Sequence, residues 1–365
     1  MKIVIFGLAI TSSWGNGHAT TFRALARALD SRGHRIIFFE RNLEWYASNR
    51  DLPDPDFCAV HIFDYWQQVL PAVRRELADC DVAVVGSYFP DGIAAIDEMF
   101  DSPAPVKAFY DIDTPITVAG LRERGGTEYL RREQVPGFDL YFSFTGGPML
   151  QQLESRFGAK RAVALYCSFD PIRYQRWPAH KRFTSDFSYM GTYAPDRQPK
   201  IEELFLSPAR RLCQQKFLLA GPQYPKSVRW PANVRRITHL NPRWHAHFYS
   251  SSRLTLNVTR RDMVLAGYSP SVRLFEAAAC GAAIASDNWP GLETFFSPGE
   301  EILLPASGDD VIRCLTDYDE SELRRIGSRA RERVLAEHSS ERRAREFEAC
   351  IERAREPLSL PQVAV

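Results

Sequence analysis

Short, continuously apolar runs alternate with helical patterns along the chain, beginning with a strand-like run at Lys2–Gly7. Apolar residues recur with a helical period over His18–Arg32, and apolar runs then alternate with helical segments. Strands that are apolar on both faces are typical of sheets covered by helices on either side. The pattern therefore predicts a doubly wound, Rossmann-like α/β domain. Its further strands are predicted at Arg35–Phe39, Ala59–Phe63, Val82–Gly86, Val106–Tyr110, Leu140–Phe144 and Ala162–Leu165.

The alternation stops over residues 170–187, where Asp170-Pro171 and Trp177-Pro178 lie in a polar stretch without periodicity. Such a stretch is typical of an interdomain linker. Apolar runs then resume and predict a second α/β domain, so we expect an N-terminal domain at residues 1–180 and a C-terminal domain at residues 186–338. The strands predicted for the second domain are Ser188–Met190, Lys216–Ala220, Val234–Ile237, Leu254–Val258, Ala282–Ser286 and Ile302–Leu304.

Length and composition agree with this division, because 365 residues exceed one ordinary core. Forty-six basic against 45 acidic residues leave a net charge of +1, which does not favour nucleic acid as a partner. The seven cysteines are scattered without a C-x-x-C pair, as expected of reduced thiols in a cytoplasmic protein. No apolar run approaches the roughly 20 residues that span a bilayer. We therefore expect no integral membrane segment.

The strongest chemical signal is the stretch from Tyr268 to Asp287. A Ser-Pro pair begins a predicted helix at Pro270–Ala279, and free backbone N–H groups near Ser271 suit phosphate oxygens. Arg273 adds a cation with several donors, and Glu276 can accept hydrogen bonds from both hydroxyls of a ribose. The plain alternative makes Arg273 and Glu276 solvated helix residues.

This stretch resembles the donor-site signature of GT-B glycosyltransferases, in which a Glu on this helix holds the ribose of a nucleotide-sugar. The chain is more closely similar to the spore-maturation (CgeB-like) branch of the group-one glycosyltransferases, over about residues 186–305. The likeness is carried by Leu256-Asn-Val-Thr-Arg-Arg-Asp-Met263, Gly267-Tyr-Ser-Pro-Ser-Val-Arg-Leu-Phe-Glu276, Asp287-Asn-Trp-Pro-Gly-Leu-Glu293 and Pro298-Gly-Glu-Glu-Ile302. It implies a GT-B fold, no cofactor besides the donor, and a C-terminal helix and tail (residues 339–365) that cross back to the N-terminal domain.

The chain departs from the wider group at one donor-side position. Retaining members carry a second Glu near the transferring sugar, and Tyr268 stands in its place. The resemblance therefore carries over the ribose contact at Glu276, with Tyr268 as a donor-side residue, but not the retaining mechanism.

Two further loops of the C-terminal half resemble donor-binding loops of these enzymes. In the first, Thr192 supplies a hydroxyl and Arg197 a charge for the donor diphosphate, although a plain turn explains the loop equally well. The second, around His239-Leu-Asn241, corresponds to the place where such enzymes hold the base.

In the N-terminal half, the loop between the first strand and helix resembles the Gly-His loop of inverting GT-B enzymes. In those enzymes the His takes a proton from the acceptor hydroxyl, a role that suits the near-neutral pKa of imidazole. The resemblance makes His18 the candidate base and places Trp14, Asn16 and Gly17 beside the acceptor. The alternative is that His18 only caps the helix or orders the loop.

A second polar group follows the strand predicted at Val106–Tyr110. Asp111 or Asp113 can orient His18 or bind acceptor hydroxyls, and Asp113 is our candidate for the catalytic partner. D-x-D is also the metal signature of GT-A glycosyltransferases, but a second α/β domain with its ribose Glu favours a metal-free GT-B enzyme.

Three other functions remain as alternatives. A nucleotide-sugar epimerase or a non-catalytic nucleotide-sugar-binding protein would have the same donor site. A nicotinamide-dependent oxidoreductase is less favoured, because in G-x-G-x-x-T the third position is Thr20 and the first glycine falls well after the strand. We expect an enzyme that passes a sugar from a nucleoside-diphosphate-sugar to an acceptor by a single in-line displacement with inversion.

Overall fold

The computed structural model describes residues 1–15 and 17–356, and its N-terminal half is built on one parallel sheet of seven strands. The strand order is β3-β2-β1-β4-β5-β6-β7, the arrangement that places a crevice beside β1 and β4. The strands are β1 Lys2–Phe6, β2 Arg35–Arg41, β3 Ala59–Phe63, β4 Val82–Gly86, β5 Val106–Asp111, β6 Leu140–Ser143 and β7 Ala162–Ala164.

Helices cover both faces of this sheet, as continuously apolar strands require. They are α1 Gly17–Ser31, α2 Glu44–Ala47, α3 Trp66–Ala78, α4 Gly92–Asp101, α5 Thr114–Glu123 and α6 Pro148–Phe157. Phe22 of α1 is 1% exposed and packs on the ends of two strands, where a Cβ on Gly86 would lie 2.8 Å from its ring. Glycine at that strand end therefore lets the first helix approach the crevice.

The C-terminal half repeats the plan with five parallel strands in the order β10-β9-β8-β11-β12. These strands are β8 Ser185–Met190, β9 Phe217–Ala220, β10 Val234–Ile237, β11 Ser252–Asn257 and β12 Ala283–Ser286. The two sheets confirm the predicted fold class of two Rossmann-like domains. The predicted strand at Ile302–Leu304 is wrong: Leu303 forms only an isolated bridge to Ala285, because Ile302 pairs with Pro298 across its own turn and Pro305 has no N–H to continue a ladder.

The helices of this half surround the second sheet. They are α7 Gln198–Ile201, which continues through a π-helical turn at Glu202–Leu206 into α8 Ser207–Arg211, and then α9 His245–Ser250, α10 Arg261–Ala266, α11 Val272–Ala279, α12 Gly308–Thr316 and α13 Glu320–Glu337. None of the described helices is both long and apolar enough to cross a membrane.

A last helix, α14 Ser340–Arg355, packs on the N-terminal half of the chain. Phe347 stacks on Phe142 with ring centroids 5.3 Å apart, and Glu348 pairs with both Arg32 and His34. Ser339 caps the helix through a hydrogen bond from the Arg342 N–H. The helix thus ties the two ends of the chain together. The predicted domain boundaries stay a prediction.

Direct contacts also join the two sheets across the crevice. The Thr145 and Ser269 hydroxyls lie 2.9 Å apart, and the Gly146 N–H donates to the Tyr268 carbonyl at 2.9 Å. These contacts bring the carboxyl ends of both sheets to face each other.

Candidate active site

A cavity of about 620 Å³ lies between the two domains, at the carboxyl ends of both sheets. Ligands of open α/β sheets bind at this edge. The structure brings eight of the predicted site residues to the cavity wall: Gly17, His18, Asp113, Thr192, Arg197, Ser271, Arg273 and Glu276. Asn16, which we predicted beside the acceptor, lies outside the described residues.

Glu276 of α11 forms part of the cavity wall although only 5% of it is exposed. Burial raises the pKa of its carboxyl to about 7, against the opposing influence of the Tyr174 hydroxyl and the Arg273 guanidinium. The carboxyl is therefore partly protonated at neutral pH until a ligand compensates its charge.

Arg273 and Ser271 at the start of α11 are both held by Asn257, the last residue of β11. Asn257 Oδ1 accepts from Arg273 Nη1 at 2.9 Å and from the Ser271 hydroxyl at 2.8 Å. Arg273 Nε also donates to the Met190 carbonyl at the end of β8. These bonds fix the guanidinium between two strand ends, which reduces the entropy lost when it binds an anion.

Arg197 places a second cation at the same wall. Its Nη2 donates to the Thr192 carbonyl at 2.6 Å, and burial, reinforced by the nearby Arg273, lowers the pKa of its guanidinium. Among the described residues, neither Arg197 nor Arg273 has a carboxylate within 4 Å. Two guanidinium groups without an acidic partner create a local excess of positive charge that favours an anionic ligand.

The loop after β8 comes close to the loop after β9 at this wall. A Cβ on Gly221 would lie 1.9 Å from the Gly191 carbonyl oxygen, so only glycine fits there. This close approach sets the position of Thr192 and Arg197.

On the N-terminal side, Asp113 lies between His18 and a cation from the other domain. His18 Nε2 is 3.9 Å and Arg260 Nη1 is 3.6 Å from Asp113 Oδ2, both longer than a hydrogen bond. The Tyr88 ring meets the His18 ring edge-on at 5.3 Å, and its hydroxyl interacts with Asp113. Burial raises the pKa of Tyr88 above its ordinary value, so this phenol is neutral.

The sequence analysis missed both Tyr88 and Arg260. Tyr88 follows β4 at the sheet edge and holds a left-handed backbone (φ 63°), a strained conformation that tends to occur at functional sites. Its position shortly after the buried strand β4 is the sequence feature that could have identified it as a site residue. Arg260 lies inside the stretch that carries the family resemblance, but no role had been assigned to it.

Asp111 is a correction to the predicted acceptor contacts. It is fully buried and accepts hydrogen bonds from the Tyr141 hydroxyl at 2.6 Å and the Thr117 hydroxyl at 2.8 Å. Burial raises the pKa of its carboxyl to about 6. Asp111 is the last residue of β5 and turns to α5 and β6, whereas Asp113 lies beyond the strand, directly before α5, and reaches the cavity.

Tyr268 and Trp14 also lie off the cavity wall. Tyr268 packs between Gly147 and Gly291 with φ 47°, and a Cβ on either glycine would lie 2.4 Å from its ring. This position shows Tyr268 in the packing between the domains, and its predicted donor contact stays a prediction. The Trp14 ring packs against that of His239, which belongs to the wall, with ring centroids 3.9 Å apart, so Trp14 supports the wall without lining it.

The described residues contain no group of three or more His, Cys, Asp or Glu side chains arranged to hold a metal ion. The D-x-D pair itself is divided, since Asp111 is buried against α5 and Asp113 faces the cavity.

Comparison with known proteins agrees with this geometry. Residues 197–349 match the family model described as glycosyl transferase-like, and no curated protein matches the chain. The fold is similar to sucrose-phosphate synthase from Thermosynechococcus elongatus (TM-score 0.66, 13% identity, covering 96% of this chain and 98% of that one). It is also similar to an alpha-glucosyltransferase in complex with UDP-glucose and DNA (TM-score 0.71, 13% identity, covering 96% of this chain and 99% of that one). A third similar structure is Anabaena HepE in complex with UDP-glucose (TM-score 0.68, 12% identity, covering 97% of this chain and 100% of that one).

The fold is therefore GT-B, with two parallel-sheet α/β domains across a cleft. The C-terminal match and the fold together place the chain in the glycosyltransferase class, which confirms the predicted class of enzyme. The closer likeness to the CgeB-like branch stays a prediction.

Proposed function

We propose that this chain transfers a sugar from a nucleoside-diphosphate-sugar to an acceptor hydroxyl, without a metal ion. The observation that carries the proposal is the set of charges on one wall of the cavity. Arg197 and Arg273, neither with a carboxylate of the described residues within 4 Å, line the same wall as the buried Glu276 carboxyl, the combination that a diphosphate joined to a ribose requires.

In the proposed complex the ribose hydroxyls donate to Glu276, and the diphosphate lies against Ser271, Arg273, Arg197 and Thr192. The neighbours that contain UDP or UDP-glucose make UDP-glucose the first donor to test. Because Arg273 and Arg197 already supply two positive charges, a divalent cation is not needed to compensate the leaving diphosphate.

The acceptor enters from the N-terminal side, beside Gly17, with Trp14 nearby. His18 takes the proton of the acceptor hydroxyl while the acceptor oxygen attacks the anomeric carbon of the sugar. The bond between that carbon and the diphosphate oxygen breaks, and the nucleoside diphosphate leaves. Asp113 stabilises the imidazolium that forms. A single displacement of this kind inverts the anomeric configuration.

The test measures binding and turnover separately. Calorimetric titration with UDP, GDP, ADP and CDP and their sugars, in EDTA and then in Mg²⁺, should reveal one preferred base in both buffers. Arg273→Ala should weaken that binding about 100-fold, since it removes a charge-assisted, bidentate contact. Arg324→Ala is the matched control, because Arg324 is exposed and its one ion pair among the described residues is with Glu320.

Turnover then separates the remaining alternatives. A transferase releases nucleoside diphosphate and consumes an acceptor, an epimerase alters the sugar without release, and a non-catalytic protein only binds. If no nucleotide or nucleotide-sugar binds in either buffer, the proposal is wrong.

A further inference from the structure

Asn257 lies behind the nucleotide side of the cavity, at the end of β11. It is 1% exposed and stands behind Ser271 and Arg273, which line the cavity. Asn257 Oδ1 accepts from the Ser271 hydroxyl at 2.8 Å and from Arg273 Nη1 at 2.9 Å. At the other end of the amide, Nδ2 donates to the Ser286 hydroxyl at 2.9 Å and to the Thr259 hydroxyl at 3.2 Å. Both ends of this buried amide are therefore occupied.

The two hydroxyls at Nδ2 fix the direction in which the amide points. Thr259 Oγ1 donates to the Asp287 carboxylate at 2.9 Å, and the Ser286 hydroxyl donates to the Asp287 carbonyl at 2.9 Å. A hydroxyl has one proton, so both oxygens are left as acceptors and require the NH₂ end of Asn257. Lys200 Nζ lies 2.6 Å from Asp287 and balances its charge. The carboxylate therefore orients the amide from behind, and a neutral oxygen points toward the cavity side.

Among the described residues, every hydrogen bond of Arg273 ends on a neutral oxygen. Nε donates to the Met190 carbonyl and Nη1 to Asn257 Oδ1. The guanidinium also lies over the Tyr189 ring, with its central carbon 5.3 Å from the ring centroid. Nη2 lies beside Gly191, where a Cβ would come within 3.1 Å of it. These contacts fix the side chain without compensating its charge, and they leave Nη2 for a ligand.

A carboxylate in the place of the amide would hold the guanidinium more tightly but would also neutralise it. Charge-assisted pairs are about twice as strong as neutral hydrogen bonds. An acid bound to Arg273 would also cancel the positive charge that attracts an anionic ligand. The fold instead keeps its acid one side chain further back, at Asp287, where it pairs with Lys200.

We propose that Asn257 is a positioning residue for the phosphate groups of the donor. It holds Arg273 through a neutral oxygen, so that the guanidinium is fixed in place and keeps its charge for the diphosphate. This inference rests on the proposed function. It follows that Asn257 affects the binding of the phosphates and not the binding of the nucleoside.

The test compares a nucleoside diphosphate with the nucleoside that lacks phosphates, for the preferred base among UDP and uridine, GDP and guanosine, ADP and adenosine, and CDP and cytidine. Calorimetry measures the affinity of the diphosphate, and an NMR titration measures the weaker affinity of the nucleoside. In both variants described next, the nucleoside affinity should stay within about twofold of the wild-type value, because neither variant removes a nucleoside contact.

Two substitutions at Asn257 should differ in a definite order. Asn257→Ala removes one anchor of Arg273 and should weaken the diphosphate about fivefold, the worth of one neutral hydrogen bond. Asn257→Asp keeps the shape and an acceptor oxygen but gives Arg273 an acidic partner, and should weaken the diphosphate about 50-fold. A residue that only anchors Arg273, or only supports the fold, would tolerate the isosteric Asp better than Ala.

A double variant tests whether Asn257 acts through Arg273. In an Arg273→Ala background, Asn257→Ala should change the diphosphate affinity by less than about twofold, because the group that it positions is gone. This cycle needs Ala variants alone, so it decides the question even if Asn257→Asp does not fold.

Asn233→Ala is the control for lost stability. Asn233 belongs to the same domain, and its side chain donates to three backbone carbonyls outside the cavity wall. This variant should lower the thermal stability and leave both affinities within about twofold of the wild-type values.

The outcomes separate this inference from the proposed function. The inference is wrong, and the donor site stands, if nucleotides bind but Asn257→Asp holds the diphosphate as tightly as Asn257→Ala or more tightly. It is equally wrong if the variants weaken nucleoside and diphosphate together, or if the effect of Asn257→Ala persists without Arg273. If the wild type binds no nucleoside diphosphate and no nucleotide-sugar, both proposals fall.

Discussion

The two sides of the cleft differ in how firmly their polar side chains are held. On the C-terminal side, Asn257 joins Ser271 and Arg273 through hydrogen bonds of 2.8 and 2.9 Å. On the N-terminal side, the contacts of Asp113 with His18 and Arg260 span 3.9 and 3.6 Å. A pre-arranged wall suits the constant part of a substrate, here the nucleotide, whereas a looser wall leaves room for an acceptor that completes the contacts on arrival.

The largest effect should come from the loose side. His18→Gln and Asp113→Asn should each lower turnover about 10²- to 10⁴-fold, the range expected for losing general-base catalysis. Nucleotide affinity should stay within about twofold of the wild-type value, because neither residue belongs to the donor wall, the part of the cavity formed by Thr192, Arg197, Ser271, Arg273 and Glu276. Steady-state turnover and a calorimetric titration on the same preparations check this. Equal losses in turnover and in nucleotide affinity would contradict the assignment of catalysis to the N-terminal side and of nucleotide binding to the C-terminal side.

A smaller effect should show that the donor wall depends on geometry as well as charge. Arg273→Lys keeps the positive charge but cannot make both the Asn257 and Met190 contacts of the guanidinium. We expect nucleoside diphosphate affinity to fall about tenfold, less than for Arg273→Ala. The same substitution at exposed Arg324 serves as the control. Full affinity in Arg273→Lys would mean that charge alone binds the diphosphate.

The preference of the donor site for ribose over 2′-deoxyribose should depend on pH. Glu276 accepts both hydroxyls only when ionised, and its pKa is raised to about 7, so the ratio of ribo- to 2′-deoxyribonucleotide affinity should rise several-fold from pH 5.5 to pH 8. Both ligands carry the same phosphates, so the effect of phosphate ionisation on affinity cancels in the ratio. A ratio that does not vary over this range would contradict the proposed role of the carboxyl.

The last effect concerns stability. An acid whose pKa is raised on folding binds more protons folded than unfolded between about pH 4.5 and 7, so the free energy of unfolding falls as pH rises through that window. Glu276→Gln removes this loss and should stabilise the protein by about 1–3 kcal/mol at pH 8 and little at pH 4. Thermal unfolding at both pH values measures the difference. A variant less stable than the wild type at pH 8 would show that the carboxylate is well compensated in the empty site.

The sequence predicted the parts of this molecule that depend on local pattern. Continuous apolar strands and short turns predicted both sheets, and the donor wall was readable because Ser271, Arg273 and Glu276 lie within two turns of one helix. The strand predicted at Ile302–Leu304 failed because Ile302 pairs with Pro298 across a turn, a contact that the apolar pattern does not show.

Side-chain direction and long-range contacts were beyond the sequence pattern. Asp111 and Asp113 are indistinguishable as a D-x-D pair, yet Asp111 ends β5 and is buried, whereas Asp113 lies beyond the strand, directly before α5, and lines the cavity. Tyr88 reaches the site only through a strained backbone. The Thr145 and Ser269 hydroxyls meet across 124 residues of chain, which no local spacing encodes.

The central claim is tested most directly by a crystal structure of the complex with UDP-glucose, or with the nucleotide-sugar that binds most tightly. We predict the ribose hydroxyls within hydrogen-bonding distance of the Glu276 carboxyl, the diphosphate on Arg273 and Arg197, and the sugar facing His18. A nucleotide bound elsewhere, or in this cavity with its ribose away from Glu276, would contradict the account.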